Sequence, residues 1–253
     1  MKTPYDEIGE GYTSTRGEDP RIAAAVHRAL GDALTVVNVG AGAGAYEPRD
    51  REVTAVEPSA VMIAQRPPGA APAVQAGAES LPFADDSFDA AMAVLSDHHW
   101  RDRSRGLREM RRVARDRVVL FSADPSRWHD FWLPNEYLPG ADVLAPQWYR
   151  LRGAWEEELR ELLGEVRFEP VPIPHDCRDG FFGAFWRRPE AYLDERVRRG
   201  ISVFALIDSD EVRDGIARLR EDLRTGAWHE RHAHLLEREE LDLGYRVVVA
   251  DLT

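Results

Sequence analysis

The sequence predicts an α/β fold: a doubly wound, mainly parallel sheet of seven strands, with a helical cap inserted before the last strand. Two observations carry this. Short, apolar, Val-rich runs alternate with helical segments through the first half of the chain. A long, mainly helical stretch, roughly Asp176 to Leu241, then separates the last two strand-like runs and is too long for a hairpin. The 253 residues suffice for one large α/β domain. The whole chain, 1–253, is therefore read as one domain, with 176–241 capping the active edge of the sheet.

The elements follow in order. Asp19-Pro20 supplies an N-cap and a proline at the first helical position. Ile22, Val26 and Leu30 continue at helical spacing, and Gly31 closes the helix. Ala33 to Val39 reads as a buried parallel strand running into a glycine-rich turn. Further strands are expected at Arg51–Val56, Ala73–Gln75, Phe88–Leu95 and Arg117–Phe121, with a helix marked by Leu107, Met110 and Val113. Trp155, Leu159, Leu162 and Leu163 share one helix face. Val166–Ile173 alternates as a sixth strand, and Gly244–Ala250 is the last.

Composition narrows the function. At 43% apolar and 31% charged residues the chain is globular rather than disordered. A formal charge of −12 argues against a nucleic-acid partner, because phosphate recognition needs a basic surface. The single cysteine, Cys177, rules out an internal disulfide and a multi-thiolate metal site, and no metal is expected. Met1–Arg16 is polar without an apolar signal core, and no run is long enough to span a bilayer. A cytoplasmic enzyme with no membrane partner is the expectation. Nothing in the sequence indicates the oligomeric state.

The strongest local signal is Val36-Val37-Asn38-Val39-Gly40-Ala41-Gly42-Ala43-Gly44. A strand followed by G-x-G-x-G lets backbone N–H groups approach a ligand closely. Alone, the motif also fits a dinucleotide loop through Ala45, or a plain tight turn. Glu57, at the end of the second strand, adds a carboxylate able to accept both hydroxyls of a ribose. Then come Ala78-Glu79-Ser80-Leu81-Pro82-Phe83, Ser87-Phe88-Asp89 and the helix Gly106-Leu107-Arg108-Glu109-Met110-Arg111-Arg112-Val113.

In this order and spacing the motifs resemble the class I (Rossmann-like) methyltransferases that use S-adenosylmethionine (SAM). The resemblance is greatest to the small-molecule group containing the ubiquinone-biosynthesis type, and covers roughly Tyr5 to Phe121. It implies methyl transfer from SAM to a small-molecule acceptor. Gly40, Ala41 and Gly42 would pass under the methionine part of SAM. Glu57, followed by Pro58, would hold the ribose, and Ala78 and Glu79 would flank the adenine. Leu95 and Ser96 would line the pocket. Tyr5, Tyr12 and Arg16 precede the first helix, where the group often carries a flap, and Tyr12 or Arg16 could meet the SAM carboxylate.

Three features depart from that pattern. Asn38 stands where an acid usually precedes the glycines. Gly77 replaces a common Asp near the adenine. Only Ala45–Glu52, including Pro48, separates Gly44 from Val53, too little for a full crossover helix. That last feature also weakens the rival reading of a nicotinamide-dependent oxidoreductase, whose pyrophosphate site needs a helix N-terminus. A second rival, a non-catalytic or repurposed SAM-binding protein, is kept open by Asn38 and Gly77.

Asp97-His98-His99-Trp100 leaves the fourth strand at the carboxyl edge, where ligands of open α/β sheets bind. One of His98 and His99 is expected to face the transferred methyl as a general base, with His98 favoured, while the other serves local packing. Cys177 reads as a buried, inert thiol. His229, His232 and His234 read as part of a charged, solvated helix rather than as metal ligands.

Overall fold

A computed structural model describes residues 15–124, 127–128, 131–142 and 155–252. Its strands are β1 Thr35–Val39, β2 Glu52–Val56, β3 Ala73–Val74, β4 Phe88–Val94, β5 Ala114–Ala123, β6 Val166–Pro170, β7 Ile173–Pro174, β8 Glu240–Leu241 and β9 Tyr245–Asp251. Seven of them form the central sheet, in the order β3-β2-β1-β4-β5-β9-β6. The first five are parallel, and β9 enters antiparallel between β5 and β6. The expected sheet is thus present, with β5 starting three residues earlier than the expected Arg117, across the exposed Arg115 and Asp116.

Helices α1 Pro20–Ala29, α2 Ala60–Ala64, α3 Arg103–Val113 and α4 Trp155–Leu163 flank the sheet. Alternation within the strands divides two cores. Val36, Ala90, Met92, Val119 and Phe121 face α1 and the aromatic side chains of the 176–241 segment. Val37, Ala91, Ala93, Val118 and Leu120 face α3 and α4. A sheet covered on both faces explains why its strands are almost continuously apolar. Helix α1 starts as its sequence suggests: buried Asp19 accepts from the Arg21 backbone N–H at 3.0 Å, ahead of Pro20. No helix lies between β1 and β2, so the short crossover behaves as its length requires.

A feature with no pattern in the sequence brackets the inserted segment. Strands β7 and β8 pair antiparallel and bring its two ends together. Leu241 therefore belongs to this clip and not to the helical part. Between them come α5 Glu195–Arg199, α6 Ser202–Leu206, α7 Ser209–Thr225 and α8 Ala227–Leu236. The α8 histidines are not all solvated, contrary to the sequence reading. His232 is buried, 2.8 Å from Glu136, because α8 packs on Trp132 of the main body. No group of potential metal ligands occurs among the described residues. Nor is any described helix long and apolar enough to cross a membrane.

Helix α7 approaches the turn Leu133–Tyr137 so closely that Gly215 has no room for a side chain: a Cβ there would lie 2.1 Å from the Tyr137 carbonyl oxygen. Gly215→Ala should gain about 1 kcal/mol of helix propensity. The clash with backbone should outweigh it, for a net loss of about 1–3 kcal/mol. Denaturant melts of the two proteins measure this, and a stabilised variant would show that α7 is not seated as described.

Candidate active site: a cofactor cavity and an adjoining chamber

A cavity of about 870 Å³ opens at the carboxyl ends of β1, β2 and β4. This is where the strand order reverses, the usual ligand position in open α/β sheets. The floor is the turn after β1. Gly40 and Gly42 have φ of +70° and +51°, and a Cβ on Gly40 would lie 2.7 Å from both Cβ and Oγ of Ser96. Glycine is the residue that adopts this backbone without strain and leaves its surface bare.

Glu57 is buried at the end of β2, and its carboxylate accepts from the backbone N–H groups of Gly42 and Ser59, both at 2.8 Å. Those bonds fix the orientation of a carboxylate that lines the cavity. Gly40, Ala41, Gly42, Glu57, Pro58, Ala78, Glu79, Leu95, Ser96 and Arg16 all line the cavity. Glu79 also secures the chain ahead of α3, where its Oε1 accepts from the N–H groups of Arg101 and Asp102 at 2.8 and 3.2 Å. Arg16 is held through Nε, 2.7 Å from the buried carboxylate of Asp179. Tyr5 and Tyr12 lie outside the described residues.

Side chains do the work of the missing crossover helix. Arg66 and Glu47 form a buried ion pair at 2.7 Å. Arg66 also donates to the Gly42 carbonyl at 3.1 Å, and Asn38 Nδ2 donates to Glu47 at 3.1 Å. Asn38, at the position where the resemblance leads one to expect an acid, thereby ties the strand to this pair. Its Oδ1 and the indole N–H of Trp100 are buried without a partner among the described residues, and both residues line the cavity. A polar ligand with donors and acceptors of its own, such as SAM, fits those orphaned atoms, the bare glycines and the Glu57 carboxylate.

A second, smaller space of about 70 Å³ adjoins the cavity and shares Arg16, Leu95 and His99 with it. Its walls include Trp128, Trp155, Phe181, Phe182 and Val203. Leu95 carries φ of +48°, an uncommon conformation for a branched side chain, just where β4 ends. The chain then makes a single 3-10 turn, Asp97–His99, in which the two imidazole rings lie against each other, centroids 3.8 Å apart. His98 lies 4.0 Å from Asp97 and lines only the small chamber. His99 lines both spaces, and its Nε2 is 3.5 Å from the Ser202 hydroxyl. His99 is thus the histidine that lies between the two spaces, while His98, favoured from the sequence, borders the chamber alone.

Burial holds both imidazoles neutral. The pKa of His98 is pushed down to about 3 by desolvation and by the charges of Arg103 and Arg16, and that of His99 falls well below the usual range through desolvation and its neighbour. The Cys177 thiol is buried and pushed up to about 12 by desolvation, which makes it unreactive, as its sequence context suggests.

The sheet order with its antiparallel seventh strand, and the glycine-floored cavity at the switch point, define a Rossmann-like class I methyltransferase. Comparisons with known proteins agree. Residues 37–121 match the methyltransferase domain family. A solved structure from Anabaena variabilis, described as a methyltransferase from an antibiotic biosynthesis pathway, is 33% identical. Its TM-score is 0.82, over 93% of this chain and 98% of that one. A structure from Anaeromyxobacter dehalogenans described as a type II methyltransferase shares the fold at 19% identity, TM-score 0.52, over 93% and 94% of the two chains. The protein YafE of Escherichia coli K12 is 49% identical over 65 residues, which is 23% of this chain and 30% of YafE, so the match spans under a third of that relative. The chain belongs to the SAM-dependent methyltransferases. The nicotinamide reading falls with this, and the helix N-terminus it would need after β1 is absent from the structure.

The depressed histidines set a pH dependence. The unfolded chain protonates His98 near pH 6.5, while the folded protein does so only near 3. Stability from this group is therefore complete above pH 6.5 and is lost as pH falls toward 3. Urea titrations across that range should show a shallower acid slope for His98→Gln than for the parent protein, and identical slopes would contradict the neutral, desolvated imidazole.

Proposed function

We propose that the enzyme methylates a small, largely apolar molecule seated in the 70 Å³ chamber, with the segment 176–241 acting as its cap. One observation carries this reading: His99 and Leu95 belong to the walls of both spaces, so a group in the chamber abuts the cofactor cavity. Phe181, Phe182 and Val203 of the segment supply apolar contact. A chamber of this small size and a chain charge of −12 favour a small molecule over a nucleic acid.

SAM, when bound, supplies a methyl group on a cationic sulfonium, already activated for attack. The protein's part is then alignment and exclusion of water. Glu57 is assigned to the ribose hydroxyls, Gly40 to Gly42 to the methionine portion, and Ala78 and Glu79 to the adenine side. His99, neutral through burial, can accept the proton that the attacking O–H or N–H gives up. His98 packs against it, with ring centroids 3.8 Å apart, and orients it.

Two measurements test the assignment. Glu57→Ala should weaken SAM binding in calorimetric titration by about 1–3 kcal/mol, the scale of charge-assisted hydrogen bonds. An unchanged affinity in a folded variant removes Glu57 from the ribose. Incubation of the enzyme and SAM with a metabolite extract, read by a methyl mass shift, should reveal the acceptor. On that acceptor, His99→Ala should lower turnover on the order of 100-fold with little change in SAM affinity. Wild-type turnover in His99→Ala would leave alignment alone as the source of rate.

A further inference from the structure

The polar groups around the chamber are nearly all engaged. The Ser122 hydroxyl donates to Asp97 at 2.9 Å. The Tyr245 hydroxyl accepts from the Gly183 N–H at 3.1 Å. Arg16 is held by Asp179. Arg103 differs. Its side chain is 8% exposed and lines the chamber. Its Nε donates to Asp97 at 2.9 Å and its Nη1 to Glu158 at 2.5 Å. Its Nη2 is buried with no partner among the described residues.

A buried donor without an acceptor is rare in a native protein unless a ligand supplies one. The guanidinium is planar, so two anchored nitrogens fix the direction of the third. Its charge is already matched, since the carboxylates of Asp97 and Glu158 both bind it. An incoming anion would meet two acids around one base. A neutral oxygen acceptor meets no such repulsion.

We propose that Arg103 selects the methyl acceptor by donating from Nη2 to a neutral carbonyl oxygen on it, with the atom to be methylated at the other end of the chamber, beside His99 and Leu95. The substrate class is then a small aromatic or apolar molecule that carries both a nucleophilic O–H or N–H and a ketone, amide or ester carbonyl. The Trp128, Phe181 and Phe182 walls hold its body. The inference rests on the chamber being the acceptor site.

The test uses three probes of one shape: 4-hydroxyacetophenone, 4-ethylphenol and 4-hydroxybenzoate, titrated into the full-length protein saturated with S-adenosylhomocysteine. The carbonyl compound should bind at least ~10-fold more tightly than 4-ethylphenol, the order expected when a site's buried donor is left unpaired. The carboxylate should bind more weakly than the ketone. In Arg103→Lys, which keeps the charge but loses the planar third donor, the preference should vanish while S-adenosylhomocysteine affinity stays unchanged. The wild-type comparison stands alone if that variant does not fold. Equal affinities, no binding by any probe, tightest binding of the carboxylate, or a preference that survives in Arg103→Lys each overturn the proposal. Failure of S-adenosylhomocysteine itself to bind would instead strike at the cofactor assignment.

Discussion

The connection between β1 and β2 constrains everything around the cofactor cavity. In a doubly wound sheet a crossover helix normally buries its own backbone groups and supports the glycine turn from behind. Residues 40–51 contain no such helix. The turn is instead anchored by a buried ion pair, Glu47–Arg66, with Arg66 also reaching the carbonyls of Gly42 and Ala71. Buried pairs are costly to desolvate and gain little net stability, but they fix geometry when the remaining donors find acceptors. Here Asn38 supplies one of the extra bonds. An acid at that position would face Glu47 with like charge at hydrogen-bond distance, which accounts for the amide.

The same short connection ties the large cavity to the inserted segment. Tyr46 is fully buried with φ of +66°, and its hydroxyl donates to Asp179 at 2.9 Å. Asp179 also receives Arg16 and the Gly17 N–H. Three segments far apart in the chain thus meet on one carboxylate that is 1% exposed. Arg16, on the walls of both spaces, owes its position to the first residues of the inserted segment. A change in that segment's seating would move a cationic side chain at the cofactor.

The sequence made the sheet and the cavity floor legible because their causes are local. A Val-rich strand, bare glycines and an acid at the next strand's end act within a few residues of one another. The chamber was not legible, because its parts come together only in three dimensions. Arg103 depends on Asp97 nearby but also on Glu158, and Arg16 depends on Asp179, far along the chain. The β7–β8 clip has two residues per strand, too few for any alternation to register. The placing of His99 between the two spaces follows a 3-10 turn preceded by Leu95 in a left-handed conformation, and a leucine gives no hint of that backbone. His232 was misplaced for a similar reason. Its charged neighbours suggested water, while the Trp132 and Trp228 rings that bury it belong to packing.

The desolvation of the two half-buried histidines and the apolar lining of the chamber have one physical cause. Phe181, Phe182, Ile201 and Val203 line the chamber together with the two imidazoles, and desolvation lowers both pKa values, so both rings are neutral at neutral pH. For methyl transfer from a sulfonium this is the favourable state. A protonated imidazole beside the cavity would repel the cationic donor and could not take a proton from the acceptor. A neutral one does neither harm. The same desolvation makes His99 a weak base, so it suits an acceptor whose proton is released as the new bond to carbon forms rather than before it. In the proposed mechanism the low basicity is thus matched to a donor that is already activated, and the segment 176–241, whose aromatic side chains line the chamber, is there assigned the selection of the acceptor.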